Sequence, residues 1–436
     1  MIKNYLKIAW RSLLKSKLFT ALNLLGLALG LTVSLLLMLY VKDEMSFDKY
    51  HTNAKNIYRV GLTATFDGKS QKWANAPNVV GPTMKNEIPE VVQQTRLLLN
   101  DFGQVAFVNS GEKKFAEKKL YWVDGSIFDV FDIKLLQGNP KVALQDPNKV
   151  ILSQSTAKKY FGNDNPIGKV LKVGIKYTLE VSGVYEDLPH NFTLDADLMG
   201  SFNTVEWASK ELVWSNASFE TYLLLRPNTN QQKIEKQMAT ILEKNVPNKD
   251  NRWFSLWLQP LVDVHLNSGD ISNANTTRVG DARQVKILFI LALVVMVIAC
   301  INYMNLATAR SQKRFKEVGI NKTIGATNRQ LIGRFYTETT LTVFLALLLG
   351  LSFLILALPF FNQITDKDLS ITNIFTSEVS IGLLLVFVFV TFVSGSYPAF
   401  YLSSFAPKNL LQTSINKKTG AGVFRQSLVV IQFSAS

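Results

Sequence analysis

Residues Phe19–Val41 read FTALNLLGLALGLTVSLLLMLYV, a stretch without one charged side chain. As a helix rising about 1.5 Å per residue, the run reaches roughly 34 Å, enough to cross a hydrocarbon core about 30 Å thick. The basic residues Lys3, Lys7, Arg11, Lys15 and Lys17 precede it with no acid among them. A secretory signal also begins this way. This apolar run is longer than a signal's, and no small-x-small cleavage pattern closes it, so it reads as an uncleaved anchor.

Three further apolar runs follow, at 287–308, about 335–361 and 380–402, each bounded by polar residues. They predict a four-helix membrane protein, with spans placed at 19–41, 284–308, 335–361 and 380–402. The segment 42–283 between the first two spans has mixed patterning and no spanning run, and is expected to be a water-exposed α+β domain.

Orientation follows from the Lys and Arg of the short flanking segments. Arg310, Lys313, Arg314, Lys316, Lys322, Arg329 and Arg334 stand against the lone Glu317 between the second and third spans, and Lys408, Lys417, Lys418 and Arg425 follow the fourth. Both blocks, with the N-terminal one, are placed in the cytoplasm. The acidic loop 362–379, which holds Asp366, Asp368 and Glu378, and the large domain are placed outside. Topology thereby accounts for nearly all of the net charge of +14, and no nucleic acid is needed to explain it. Residues 1–18 carry Ile2, Tyr5, Leu6, Ile8, Ala9, Leu13 and Leu14 near helical spacing with cations between them, the pattern of an amphipathic helix on the inner leaflet of the membrane.

In the outer domain, strands are expected at 105–108, 149–152 and 222–226, with a hairpin over 170–184. A helix over 231–246 places Ile234, Met238, Ile241 and Leu242 on one face, and Ser153 caps another that runs through Ala157 and Tyr160. Gly162–Lys169, GNDNPIGK, imitates a phosphate-binding loop. It has five residues between its glycines where four are needed, Val170 where Ser or Thr should hold magnesium, and Pro166 where a backbone donor should be. It is read as a turn. Asp187, His190, Asp195 and Asp197 match no metal or acid/base spacing and are read as a solvated loop. Cys300 lies in an apolar run, and His51, His190 and His265 are far apart in sequence. No catalytic residue, metal site or cofactor is expected, so the chain reads as a non-enzyme.

The segment 309–334 returns the chain into the third span and contains Arg314–Thr327, RFKEVGINKTIGAT. It is too short to catalyse alone but suits partner docking, with Gly319 and Gly325 for tight turns and Glu317 among cations. It resembles the FtsX-like permease family, whose corresponding pattern is matched at Arg314, Glu317, Gly319, Ile320, Lys322, Ile324, Gly325 and Ala326. Asn321 and Thr323 depart from it. The outer domain is similar to the MacB-type periplasmic core domain through Phe47-Asp48-Lys49-Tyr50-His51, Ile57-Tyr58-Arg59-Val60, Tyr160-Phe161-Gly162 with Pro166-Ile167-Gly168-Lys169, and Leu258-Gln259-Pro260-Leu261 leading to His265.

The resemblance implies an ABC permease of the inner (cytoplasmic) membrane, in contact with membrane lipid. It implies a separate ATP-binding subunit docked on Arg314, Glu317, Gly319, Lys322, Gly325 and Ala326, and a homodimer or a pseudo-dimer with a second repeat. A periplasmic or outer-envelope partner is also consistent with it. Regulation of envelope hydrolases and a sensor receptor are the alternative functions. Gly26 and Gly30 form a GxxxG pair suited to close helix packing, and Glu338 is expected to pack inward or reach headgroups. After the linker 403–425, residues 426–436 read as the start of a fifth helix, as at the midpoint of a two-repeat member.

Overall fold

The computed structural model describes residues 2–100, 104–248, 253–275, 278–311, 315–370 and 377–404. The chain divides into two compact units, one formed by 1–42 with 283–436 and the other by 43–282. Residues 426–436, the expected fifth helix, lie outside the described residues, as does nearly all of the linker before them.

The first unit is helical. Four of its helices are long and apolar enough to cross a membrane: Lys17–Glu44, Ala282–Ser311, Asn328–Thr365 and Ser377–Ser404. A separate helix, Ile2–Lys15, precedes them; its buried Ala9 and Leu13 fall one turn apart, while Leu6, Trp10 and Leu14 are exposed. The third long helix begins at Asn328, ahead of the span expected at about 335–361, where Thr327 and Gln330 form a capping box. It runs to Thr365, where Asp366 takes a left-handed conformation and ends it.

Packing in this unit relies on small residues and short polar side chains. Leu27, Ala28, Leu31, Met296, Ala299, Cys300, Val343 and Ala346 share one core. Thr32 Oγ1 donates to the carbonyls of Ala28 (2.8 Å) and Gly350 (3.0 Å), and Ser34 Oγ to that of Ala292 (2.8 Å).

The second unit is built on a mixed sheet. Strand Ile57–Phe66 pairs antiparallel with Glu220–Leu225, Phe254–Pro260 and Lys69–Trp73. Lys149–Ser153 runs parallel to Tyr177–Tyr185, and Leu120–Val123 parallel to Leu198–Ser201. The hairpin over 170–184 is present as Val170–Val173 with Tyr177–Tyr185. Helix Gln231–Asn245 buries Ile234, Met238, Ile241 and Leu242 against Val60, Leu62, Leu223 and Leu258, so its apolar stripe covers one sheet face. Ser153 caps Gln154–Phe161 by accepting from Thr156 N. Gly162 and Gly168, both at positive φ, frame a turn in the stretch that imitates a phosphate-binding loop.

Candidate functional site

Residues Phe315–Thr323 form a short helix rather than a loop. Its end is a Schellman motif: Ala326 N donates to Asn321 O (2.9 Å) and Gly325 N to Lys322 O (3.1 Å), with Gly325 at φ +100°. Immediately beyond, Thr327 Oγ1 accepts from Gln330 N while Gln330 Oε1 accepts from Thr327 N (3.0 Å). Val318 and Leu331 are buried together with Phe335 against them, which ties the short helix to the start of the next. The result is a helix, a tight reversal and a capped second helix, with Ile320 (51%) and Ile324 (80%) turned outward. These two apolar side chains lie one turn apart and so share a face.

The sequence-derived docking residues divide on this frame. Gly325 makes the expected turn, and Ala326 supplies the second Schellman donor. Gly319 does not turn: it is buried inside the helix, its backbone held helical by neighbours that bury Val318. Lys322 is half-buried in the last helical turn. Arg314 lies outside the described residues, as does the side chain of Glu317. The capping pair Thr327 and Gln330 was the missed signal; a Thr three residues before a Gln is readable as a helix start.

Gly26 and Gly30 sit in the helical unit against Ala282–Ser311. A Cβ on Gly30 comes within 2.4 Å of Ala299 Cβ, and one on Gly26 within 3.1 Å of Asn302 Nδ2. At position 30 only glycine permits that approach. Glu338 accepts from Ser12 Oγ at 2.9 Å, which links helix Asn328–Thr365 to the N-terminal helix.

The outer domain holds a polar cluster that sequence spacing missed. His265 presents Nδ1 to the Arg278 carbonyl (2.9 Å) and Nε2 to Glu44 Oε2 (3.0 Å), with Phe47 stacked on the ring at 3.4 Å. Gly280 N donates to the His265 carbonyl at 2.8 Å, and a Cβ on Gly280 comes within 2.7 Å of the ring. One histidine therefore holds together the segments by which the chain enters and leaves this unit. His190 bonds Asp43 alongside.

The segment 187–197 is a loop with Asp187 exposed, as expected, but its other carboxylates are less solvated than expected. Asp195 is clamped by Lys119 (2.8 Å) and Arg278 (2.9 Å), Asp187 accepts from Ser155 (2.9 Å), and the half-buried Asp197 has its carboxyl pushed up chiefly by burial. Nearby, burial raises Asp48 to about 7 against opposing hydrogen bonds from Thr193, and burial lowers His51 to about 4. Among the described residues no group of three or more His, Cys, Asp or Glu side chains could hold a metal ion. These contacts suit a structural clasp.

A family model described as MacB-like periplasmic core domain matches residues 20–241, a little over half of the chain, and one described as FtsX-like permease C-terminal matches 289–407. The chain is 25% identical over 239 residues to the "Macrolide export ATP-binding/permease protein MacB" of Aggregatibacter actinomycetemcomitans, covering 53% of this chain and 34% of that one. Against the protein of the same name from Salmonella typhi it is 22% identical over 360 residues, covering 80% and 51%. The chain thus spans about half or less of the length of these relatives. The crystal structure of the periplasmic region of MacB from Actinobacillus actinomycetemcomitans matches 48% of this chain and 89% of its own, at 20% identity and a TM-score of 0.35. With both domain types matched in order along the sequence, the chain belongs to the MacB/FtsX-like permease family.

Proposed function

We propose that this chain is the permease subunit of an ABC system, driven by an ATP-binding subunit that docks on segment 309–334. The observation that carries this reading is the outward Ile320 and Ile324 pair on a helix fixed at its end by the Schellman turn and the capped helix beyond. An apolar pair on a rigid, cation-rich element is a surface that a protein cleft can cover, and the surrounding charges set its orientation.

In this reading the four long apolar helices span the inner membrane, with the N-terminus and segment 309–334 in the cytoplasm and residues 43–282 outside. ATP-driven closure of the partner displaces Phe315–Thr323. Helix Ala282–Ser311, a single uninterrupted element, carries the displacement outward. The permease acts as a dimer or with a second repeat, and contributes no catalytic group of its own.

The test is affinity capture of the detergent-solubilised chain from its native membrane, with partners identified by mass spectrometry. Wild type is expected to retain an ABC ATP-binding subunit. Ile324→Asp and Gly325→Trp should lower its recovery at least tenfold, while labelling of the buried Cys300 stays at the wild-type rate and so reports an intact helical unit. Folded wild type that retains no ATP-binding subunit overturns the reading.

A further inference from the structure

One end of the sheet in the outer unit is a hairpin that none of the preceding interactions uses. Strands Ala106–Ser110 and Lys113–Glu117 pair antiparallel, and Ala106–Ser110 also pairs with Val170–Val173. Among the described residues, Lys113–Glu117 is the last strand in the sheet order. A two-residue turn with Gly111 at φ +60° joins the two strands, so Ser110 and Lys113 flank it as a hydrogen-bonded pair and alternate pairs follow. The Phe107 carbonyl agrees with this phase, since it accepts from Gly174 N at 2.8 Å, on the side away from Ala116. Lys114 and Ala116 therefore point their N–H and C=O groups outward, and both residues are exposed. The side chains along this edge differ between its two faces. On one, Lys114, Asn109 and Lys172 stand in register across three strands, which sets the two exposed lysines about 10 Å apart. Neither lysine has an ion-pair partner among the described residues, whereas Glu180 on the neighbouring strand is taken by Lys149 (2.9 Å). On the other face, Phe115 is half-buried against Tyr160, with ring centroids 4.1 Å apart.

We infer that Lys113–Glu117 receives an extended segment of a protein partner as one more strand, and that this segment alternates acidic and apolar side chains. The outward N–H and C=O groups of Lys114 and Ala116 supply the main-chain bonds. Side chains of an added strand alternate between the two faces. Those beside Lys114 share its face with Lys172, which favours carboxylates there. The residue opposite Phe115 falls on the other face, where an apolar group extends the core. Lysines on an edge disfavour pairing with a second copy of this chain, which would bring the same cations to the same face. The inference concerns residues 43–282 alone and rests on neither the membrane orientation nor the ATP-binding partner.

The test is fluorescence anisotropy of a labelled, end-capped peptide of four Glu-Val repeats, titrated with the detergent-solubilised full chain. Wild type is expected to bind it saturably, and to bind the matching Lys-Val peptide about tenfold more weakly. Ala116→Pro deletes an outward N–H without touching the bonds to 106–110, so it should abolish binding, whereas Ala116→Thr should keep it. Lys114→Glu combined with Lys172→Glu should weaken binding of the Glu-Val peptide about tenfold and reverse the preference between the two peptides. An unchanged tryptophan fluorescence transition reports that each variant is folded. If Ala116→Pro shifts that transition, the lysine variant decides alone.

Equal binding of the two peptides by wild type overturns the proposal, as does binding of neither. Undiminished binding by a folded Ala116→Pro variant, or by the lysine variant, overturns it as well. If neither peptide binds and Ala116→Pro instead converts a dimeric chain to a monomer, the edge belongs to a second copy.

Discussion

In the outer unit a whole charge is buried: Arg59 is fully enclosed, with Nη1 donating to Glu220 (2.9 Å) and Nη2 to Gln259 (2.6 Å) and Ser268 (2.9 Å). In the helical unit the comparable interior positions carry Thr32 and Ser34, whose hydroxyls return to backbone carbonyls. The first arrangement is held by a specific set of partners drawn from three distant strands and loops. The second needs only a short side chain and close backbones, which Gly30 and Gly350 provide beside Ala299 and Ala28. An enclosed guanidinium is strongly destabilising once a partner is lost, because the charge keeps its desolvation cost. Helix contacts built on glycine are sensitive to bulk instead.

The chain supplies a separate probe for each unit. Of its seven tryptophans only Trp10 lies outside residues 43–282, so fluorescence reports the outer unit, and the single buried Cys300 reports opening of the helical one through thiol labelling. Glu220→Ala strands Arg59 and is expected to cost about 3–5 kcal/mol in the fluorescence transition, with Cys300 labelling unchanged. Gly30→Leu is expected to do the reverse. It separates Lys17–Glu44 from Ala282–Ser311, costs about 1–3 kcal/mol and accelerates Cys300 labelling while fluorescence holds. If either substitution moves both probes equally, the units do not unfold separately and the contrast collapses.

A second test stays inside the outer unit and turns on two groups shifted in opposite directions. Asp48 is raised to about 7, so between its ordinary value near 4 and 7 the folded state holds a proton the unfolded state has lost, and stability falls as pH rises. His51 is lowered to about 4, so between about 4 and 6.5 the unfolded state binds the extra proton, and stability rises with pH. The slopes nearly cancel, and wild-type fluorescence transitions should be almost flat from pH 4.5 to 6.5. Asp48→Asn should expose a loss of about 2–3 kcal/mol on acidification across that window, and His51→Gln a gain of similar size. Parallel profiles for the two variants break the assignment.

The long apolar helices were legible because each announces itself in one uninterrupted apolar stretch. The stripe Ile234, Met238, Ile241 and Leu242 was legible for the same reason, since its signal is local. The clasp was not. Glu44 and His265 are 221 positions apart, and Asp43 and His190 are 147 apart, so no spacing rule reaches them. The docking segment was read in part. Gly325 turns because the helix ends there, whereas Gly319 was misassigned because a glycine inside a short helix carries no mark of its own. Thr327 and Gln330 held the missing boundary.

Two N-caps, one from each unit, give the finest comparison of the units. Ser153 is buried and accepts from Thr156 N at the head of a short helix whose Ala157 and Tyr160 belong to the outer core. Thr327 is exposed and caps a helix of 38 residues. Either loses about 1 kcal/mol of capping when changed to Ala. At Ser153 the short helix cannot fray without exposing its core contacts, so Ser153→Ala should lower the fluorescence transition by that amount, with Ser153→Thr restoring most of it. At Thr327 only the first turn need open, because the remaining turns keep their own hydrogen bonds and packing. Thr327→Ala should therefore leave Cys300 labelling unchanged and raise amide hydrogen exchange about fivefold for Gln330 and Leu331, whose N–H groups bond to Thr327, the conversion of about 1 kcal/mol at 25 °C. Exchange that rises along the whole helix shows that the cap controls more than its own turn.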